Sequence, residues 1–224
     1  HALKGIANLK TNEGLLDEAE TLYNRALELV IKYEGEESLN TARMYNELAY
    51  LYAAQRRLSL SLETHKKCLE MIYKLYGKKH PEVSASLNNI ASIYLDLKQP
   101  EEALPYLEED LKLTLELYGE PHYNLGSTYT NLGSAYRDLG DIDKAIYYYN
   151  KALENNEKLM GPDYHENLKI HNNLGHLYIN EEYDTDKAIA HFHRAEKIAQ
   201  SCGLETSPVM ADLTLLGQLI RLLL

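Results

Sequence analysis

Tryptophan is absent from this chain, phenylalanine occurs once, at Phe192, and cysteine only at Cys68 and Cys202. Two isolated cysteines provide neither a disulfide framework nor the clustered spacing of a zinc site, and they fit a reducing, cytoplasmic compartment. Prolines number six, and no Ser/Gly tract or charge block interrupts the sequence, so one continuous domain is expected rather than two joined by a linker. No apolar run reaches the ~20 residues that a bilayer span requires, and the leucine-rich end is broken by Gln218 and Arg221. No secretory h-region opens the chain. Basic residues are in deficit, with 23 Lys and Arg against 34 Asp and Glu and a net charge of −11. That balance opposes a broad phosphate-binding surface, and so a nucleic-acid partner. Acidic groups such as Glu34, Glu36 and Glu37, or Glu101, Glu102, Glu108 and Glu109, read as a solvated outer face, with a basic partner as the alternative. There is no Gly-rich phosphate loop, nucleophile elbow or convergent Ser, His and Asp set. His171 with His176, and His191 with His193, lack the i, i+4 spacing of a helical metal pair. Catalysis, metal and cofactor are therefore not expected.

The chain does contain a period. Gly35, Gly77, Gly119, Gly161 and Gly203 each follow the last by 42 residues, which marks a repeated supersecondary unit. Ile6, Leu48, Ile90, Leu132, Leu174 and Leu216 share that period as large aliphatic anchors. Each is followed by a small residue: Ala7, Ala49, Ala91, Gly133, Gly175 or Gly217. Four places after the anchor come Lys10, then Tyr52, Tyr94, Tyr136 and Tyr178, then Ile220. A large residue, a small one and a ring at this spacing share one side of a helix, helix A, and the small one lets a neighbouring helix approach. A second helix, B, opens with Ala19, Tyr23 and Ala26 in the first unit and Ala145, Tyr149 and Ala152 in the fourth. Gly14, Gly140 with Asp141, and Gln99 with Pro100 mark the A/B turns. The period glycine then closes helix B in the left-handed conformation that disfavours a Cβ.

These residues resemble the tetratricopeptide repeat in its 42-residue form, similar to the repeats of kinesin light chains. Leu75, Tyr76, Gly77, His80, Pro81, Glu82 and Val83, followed by Leu87, Asn88, Asn89, Ile90 and Ala91, carry the resemblance best. It spans essentially the whole chain and implies an all-α, right-handed α-solenoid of antiparallel helix pairs. Repeats are expected at 1–41, 42–83, 84–125, 126–167 and 168–209, with a final helix at 210–224, as part of a longer protein. Four departures stand out. Lys10 replaces the helix-A ring. Ser61, His65 and Cys68 replace Ala, aromatic and Ala, adding polar atoms that need partners. Asp110 puts a carboxylate where a small residue belongs, which is costly unless it is bonded or wet. The fifth unit carries Ala188, Phe192 and Ala195 one residue late, so the loop 181–186 is expected to bulge and helix B to shorten.

On each helix A the residues five and two before the anchor, and two and five after it, form one stripe on the concave side. The stripe comprises Arg43, Asn46 and Tyr50 in the second repeat, Asn88 and Ser92 beside Ala85 in the third, Ser127, Thr130, Ser134 and Arg137 in the fourth, and Lys169, Asn172 and His176 in the fifth. Directly before the anchors stand Asn89, Asn131 and Asn173, again 42 apart. An amide both donates and accepts, so this ladder can bond the C=O and N–H of an extended peptide. Packed helices lie ~8 to 10 Å apart and an extended chain rises ~3.3 Å per residue, so successive A helices would meet a peptide about every third residue. Tetratricopeptide grooves commonly hold backbones this way, which the resemblance extends to Asn89, Asn131 and Asn173. The alternative is that these amides only tie helices together. Glu47, Gly5 and Leu215 replace the asparagine elsewhere, which centres capture on the third to fifth repeats and argues against an acidic motif past Glu47. Tyr50 is either a platform for a ligand side chain or groove wall.

The expected function is a protein-interaction scaffold or adaptor binding a peptide or helix of a partner. Alternatives are a regulatory sensor or oligomerisation arm of a larger enzyme or signalling ATPase, and a kinesin-light-chain-like cargo adaptor. The partner would be another protein, a neighbouring domain of the same one, or a second copy held through the apolar C-terminal helix.

Overall fold

The computed structural model describes residues 2–204, and among them there are ten helices and no strand. They are α1 (Ala2–Asn12), α2 (Leu16–Glu34), α3 (Leu39–Ala54), α4 (Leu58–Tyr76), α5 (Pro81–Asp96), α6 (Pro100–Tyr118), α7 (Tyr123–Asp138), α8 (Ile142–Met160), α9 (Asn167–Asn180) and α10 (Thr185–Ser201). The final helix expected at 210–224, with Leu216 and the oligomerisation surface assigned to it, lies outside the described residues. Two compact units are formed, one ending at Leu117 and the other beginning at Tyr118.

In both units odd helices pair with the even helices that follow. Leu48 in the first unit, and Leu132 and Leu174 in the second, are fully buried anchors, as is Ile90. Burying a side chain of this size contributes roughly 1.5–3 kcal/mol. Leu48 joins one cluster with Tyr23, Ala26, Met44 and Leu51, so an anchor packs against the helix pair before its own. Ile6 has no described pair before it and is 46% exposed. In the fourth and fifth repeats the small residue after the anchor takes the helix-B ring. A Cβ on Gly133 would lie 2.7 Å from the Tyr149 ring, and one on Gly175 would lie 2.6 Å from that of Phe192.

Rings four places after the anchor sit mostly at the rim of the core. Tyr94 is buried but Tyr52, Tyr136 and Tyr178 are half-buried, each covered by a cation that follows in the chain, Arg57 of the α3–α4 turn at 4.7 Å, Lys144 of α8 at 4.7 Å and Lys187 of α10 at 5.0 Å from the ring centres. A phenol keeps its hydroxyl wet there while its face is shielded.

Helix ends follow local chemistry. Ser38 caps α3 by accepting from the Thr41 N–H. His80 and His122 cap α5 and α7 through Nδ1 while stacking on Tyr76 and Tyr118 at 4.2 and 4.0 Å, which gives both period histidines a structural task. Gly35, Gly77 and Gly161 close α2, α4 and α8 at φ 91°, 74° and 85°. Their ψ values of 166°, −172° and 170° place them in the mirror-extended region rather than the left-handed helical one expected, and that region is essentially closed to any other residue. The α9–α10 connection has four residues where its counterparts have three, and α10 has 17 residues against 19 in α8.

The departures in the repeat pattern are largely satisfied. Lys10 pairs with Glu13 and Glu18. Ser61 donates to the Ala49 carbonyl at 2.7 Å and Cys68 to that of Ala42 at 3.2 Å, with burial pushing the thiol pKa up to about 11. Asp110 is fully buried on α6 and accepts from Ser84 and Asn88 of α5 and from Thr114. The carboxylate is thus a locally bonded group and not a partly exposed one.

Candidate functional site

In the first unit the stripe on α3 and α5 closes into a hydrogen-bonded cluster. Asn89 donates through Nδ2 to Asn46 Oδ1 at 3.0 Å and accepts from the Tyr50 hydroxyl at 2.7 Å. Burial raises the Tyr50 pKa, against lowering by Asn89 and Asn46. Arg43 reaches Glu82 at 2.5 Å, and Glu47, the carboxylate in the asparagine register, meets Lys4 at 2.7 Å. Asn88 turns toward α6 and bonds Asp110, and Ser92 is half-buried. A separate apolar cleft of about 490 Å³ lies among α1, α2 and α3, lined by Ala26, Leu29, Val30 and Met44, with Arg43 at its rim. Thr41 and Ala42, in the first turn of α3, are fully buried.

In the second unit the stripe is carried by α7 and α9, with α8 beneath. Ser134 gives its proton to the Thr130 carbonyl at 3.1 Å, so the Tyr149 hydroxyl 3.0 Å away donates to Ser134 Oγ. Asn173 Nδ2 in turn donates to the Tyr149 oxygen at 3.2 Å. Burial holds the Tyr149 pKa above the ordinary phenol value, opposed by Ser134 and Asn173. Nothing among the described residues takes the Asn173 carbonyl oxygen. Asn131 is half-buried one register earlier on α7. Thr130 and Ser127 return their hydroxyls to the carbonyls of Gly126 and Asn124 in their own helix. Arg137 is held by Asp138, Lys169 is exposed, and exposed His176 rests edge-on against Phe192. Packing around its ring lowers the His176 pKa, and Arg137 adds to the shift. Asn172 is half-buried with its Oδ1 enclosed and unbonded.

Two ladder asparagines therefore bond back to the preceding helix pair, Asn89 to Asn46 and Asn173 to Tyr149, while the Asn173 carbonyl oxygen accepts from none of the described residues. This combination fixes the amide orientation without exhausting its bonding capacity.

The structure also joins residues that spacing along the chain kept apart. His171 of α9 and His191 of α10 face each other through Nδ1 at 2.9 Å, and Tyr178 stacks on His191. Burial and then His191 lower the His171 pKa to about 4. The signal was the helix pairing itself, since the two residues lie on separate helices. Among the described residues no three His, Cys, Asp or Glu side chains group as a metal site would need, and no helix is long and apolar enough to cross a membrane.

No curated protein matches the chain, but similar folds are known. BtubC (BKLC) from P. vanneervenii is 28% identical over 90% of this chain and 80% of its own, with a TM-score of 0.76. A putative kinesin light chain of Podosopora anserina with nearly identical TPR-like repeats is 19% identical over 89% and 95%, TM-score 0.70. A Rap protein complexed with competence and sporulation factor is 21% identical over 99% of this chain and 64% of its own, TM-score 0.74. The tetratricopeptide-repeat model matches residues 1–74, 42–114, 82–158 and 124–201. With ten helices in pairs at the period of 42 among the described residues, and that match across nearly its full length, the chain belongs to the tetratricopeptide-repeat family.

Proposed function

We propose that this protein is a non-enzymatic interaction scaffold that holds an extended segment of a partner protein against the stripes of its A helices. Proteins of this repeat family are generally such scaffolds. The observation that carries the reading is Asn173, clamped by Tyr149 through one N–H while its carbonyl oxygen stays open. A preset amide loses little freedom when it takes a backbone N–H. The Rap protein with a similar fold was crystallised with competence and sporulation factor, which supports ligand capture by this architecture without identifying a ligand for this chain. Asn131 and Asn173 are the binding residues of the second unit in this reading, with Arg137, Lys169, Asn172 and His176 around them. Asn46, Tyr50 and Asn89 serve the first.

Screening the chain against an array of unstructured peptides, with the Asn131→Ala/Asn173→Ala variant alongside, tests the proposal. Hits held by the parent should weaken by about tenfold or more in the variant, on the basis of roughly 1 kcal/mol per backbone hydrogen bond, with circular dichroism unchanged. Hits indifferent to the substitutions would transfer the function to a folded partner or to a neighbouring domain of the same protein.

A further inference from the structure

The second repeat is built differently beneath its stripe. In the first, fourth and fifth repeats the residue two places after the anchor meets the ring of helix B. Tyr23 donates to Asn8 at 2.6 Å, Tyr149 bonds Ser134, and Phe192 lies against His176. Each of those rings either satisfies its polar atom or has none. His65 takes this position on α4. It is 1% exposed, with Tyr50 edge-on against it at 5.3 Å between ring centres, and neither of its nitrogens has a hydrogen-bond partner. Its neighbours Ser61 and Cys68 on the same face both found carbonyls. An unmet buried polar atom is costly enough to call for a reason.

The ring that lies against His65 is half open to solvent. Tyr50 is 49% exposed and is tied at its hydroxyl to Asn89 of α5. Rotating it away would uncover the imidazole edge and release the Asn89 carbonyl oxygen at the same place.

We infer that His65, Tyr50 and Asn89 form a covered side-chain subsite, in which a hydroxyl or carboxamide of a bound peptide displaces Tyr50 and bonds the imidazole. The subsite rests on the groove reading above and adds a side-chain preference to it. A hydroxyl or amide both donates and accepts, so it suits either tautomer of the neutral ring. Burial keeps that ring neutral, with a pKa of about 4. A carboxylate would bring an uncompensated charge to the same floor.

His65→Phe is the informative variant, because phenylalanine already fills this position as Phe192. Both proteins are screened with a positional-scanning library of unstructured peptides. The parent is expected to favour Ser, Thr, Asn or Gln over Ala at one position by about fivefold to tenfold. The variant should lose that preference and keep the others. A measurement free of any substitution is the imidazole ¹⁵N spectrum of the parent, where the His65 nitrogens should shift when the selected peptide is added. A preference that survives in His65→Phe, a library with no such position, or unmoved His65 nitrogens in the bound state would overturn the subsite and leave the groove standing. If the parent retains no peptide at all, both readings fail together.

Discussion

Arg56 shows how a repeat can hide its own rule from its sequence. The turns between helices A and B place Gly14, Arg56, Lys98, Gly140 and Tyr183 at positive φ, between 53° and 80°. The first four lie 42 apart, yet only the two glycines announce the conformation. A left-handed backbone costs a non-glycine residue roughly 1–2 kcal/mol. Arg56→Gly is expected to offset that against the greater freedom of glycine in the unfolded chain, and to raise the thermal midpoint by a few degrees at about 1 kcal/mol. Gly161→Val should do the reverse. Nothing lies within 4 Å of a Cβ built there, so the expected loss of roughly 1–3 kcal/mol is backbone strain alone, and thermal melts of the two variants check both signs. His65 supplies a pH dependence. Its folded pKa of about 4 lies below the ordinary 6.5, so between those values the unfolded chain binds more protons than the folded one. Stability is therefore full above about pH 6.5, falls as the solution is acidified, and levels off below about pH 4, for a total loss of roughly 3 kcal/mol. His171 acts in the same direction. Urea midpoints across this range should fall with acid, and His65→Phe should flatten part of the decline.

Between elements, the glycines inside helices act through space rather than through φ. Gly133 and Gly175 admit the rings of Tyr149 and Phe192, and their place after the anchor made that legible from the period alone. Gly133→Ala gains helix propensity of about 1 kcal/mol but pushes a methyl group into the Tyr149 ring, and overpacking of this kind costs typically 1–3 kcal/mol. A net destabilisation in urea is expected, with the Asn173 bond to Tyr149 disturbed as well. Asn155 of α8 accepts from the backbone N–H of His122 at 3.0 Å and donates to its carbonyl at 3.1 Å, which anchors the segment entering α7. Asn155→Ala leaves the His122 N–H unmet, while the His122 carbonyl keeps the Leu125 N–H, and should cost roughly 1–3 kcal/mol, visible as faster hydrogen exchange at His122. Neither Asn155 nor the Asp110 cluster could be assigned partners beforehand. Their bonds run between helices at separations set by packing, whereas the period reports only which positions are equivalent. The same limit hid the His171 and His191 pair, and it left open whether Asn89 and Asn173 would face a ligand or a neighbour.

At the level of the whole chain, the order of helices, the turns and the buried anchors were legible because each was written several times over, and errors in one repeat were outvoted by the rest. The function is written only once. In the proposed reading it depends on which polar atoms of the stripe remain available after the helices have packed, as Asn173 Oδ1 does and as the hydroxyl protons of Thr130 and Ser127 do not. The central claim is that the A-helix stripe holds a partner segment. Its most direct test is to titrate the strongest array peptide into ¹⁵N-labelled protein and map the amide and side-chain shifts. Changes are expected to concentrate at Asn46, Tyr50, Asn89, Asn131, Asn173 and His176, with the Asn173 side-chain amide among the largest. Shifts confined to the outer faces of α2, α4, α8 and α10, with the stripe unmoved, would contradict it.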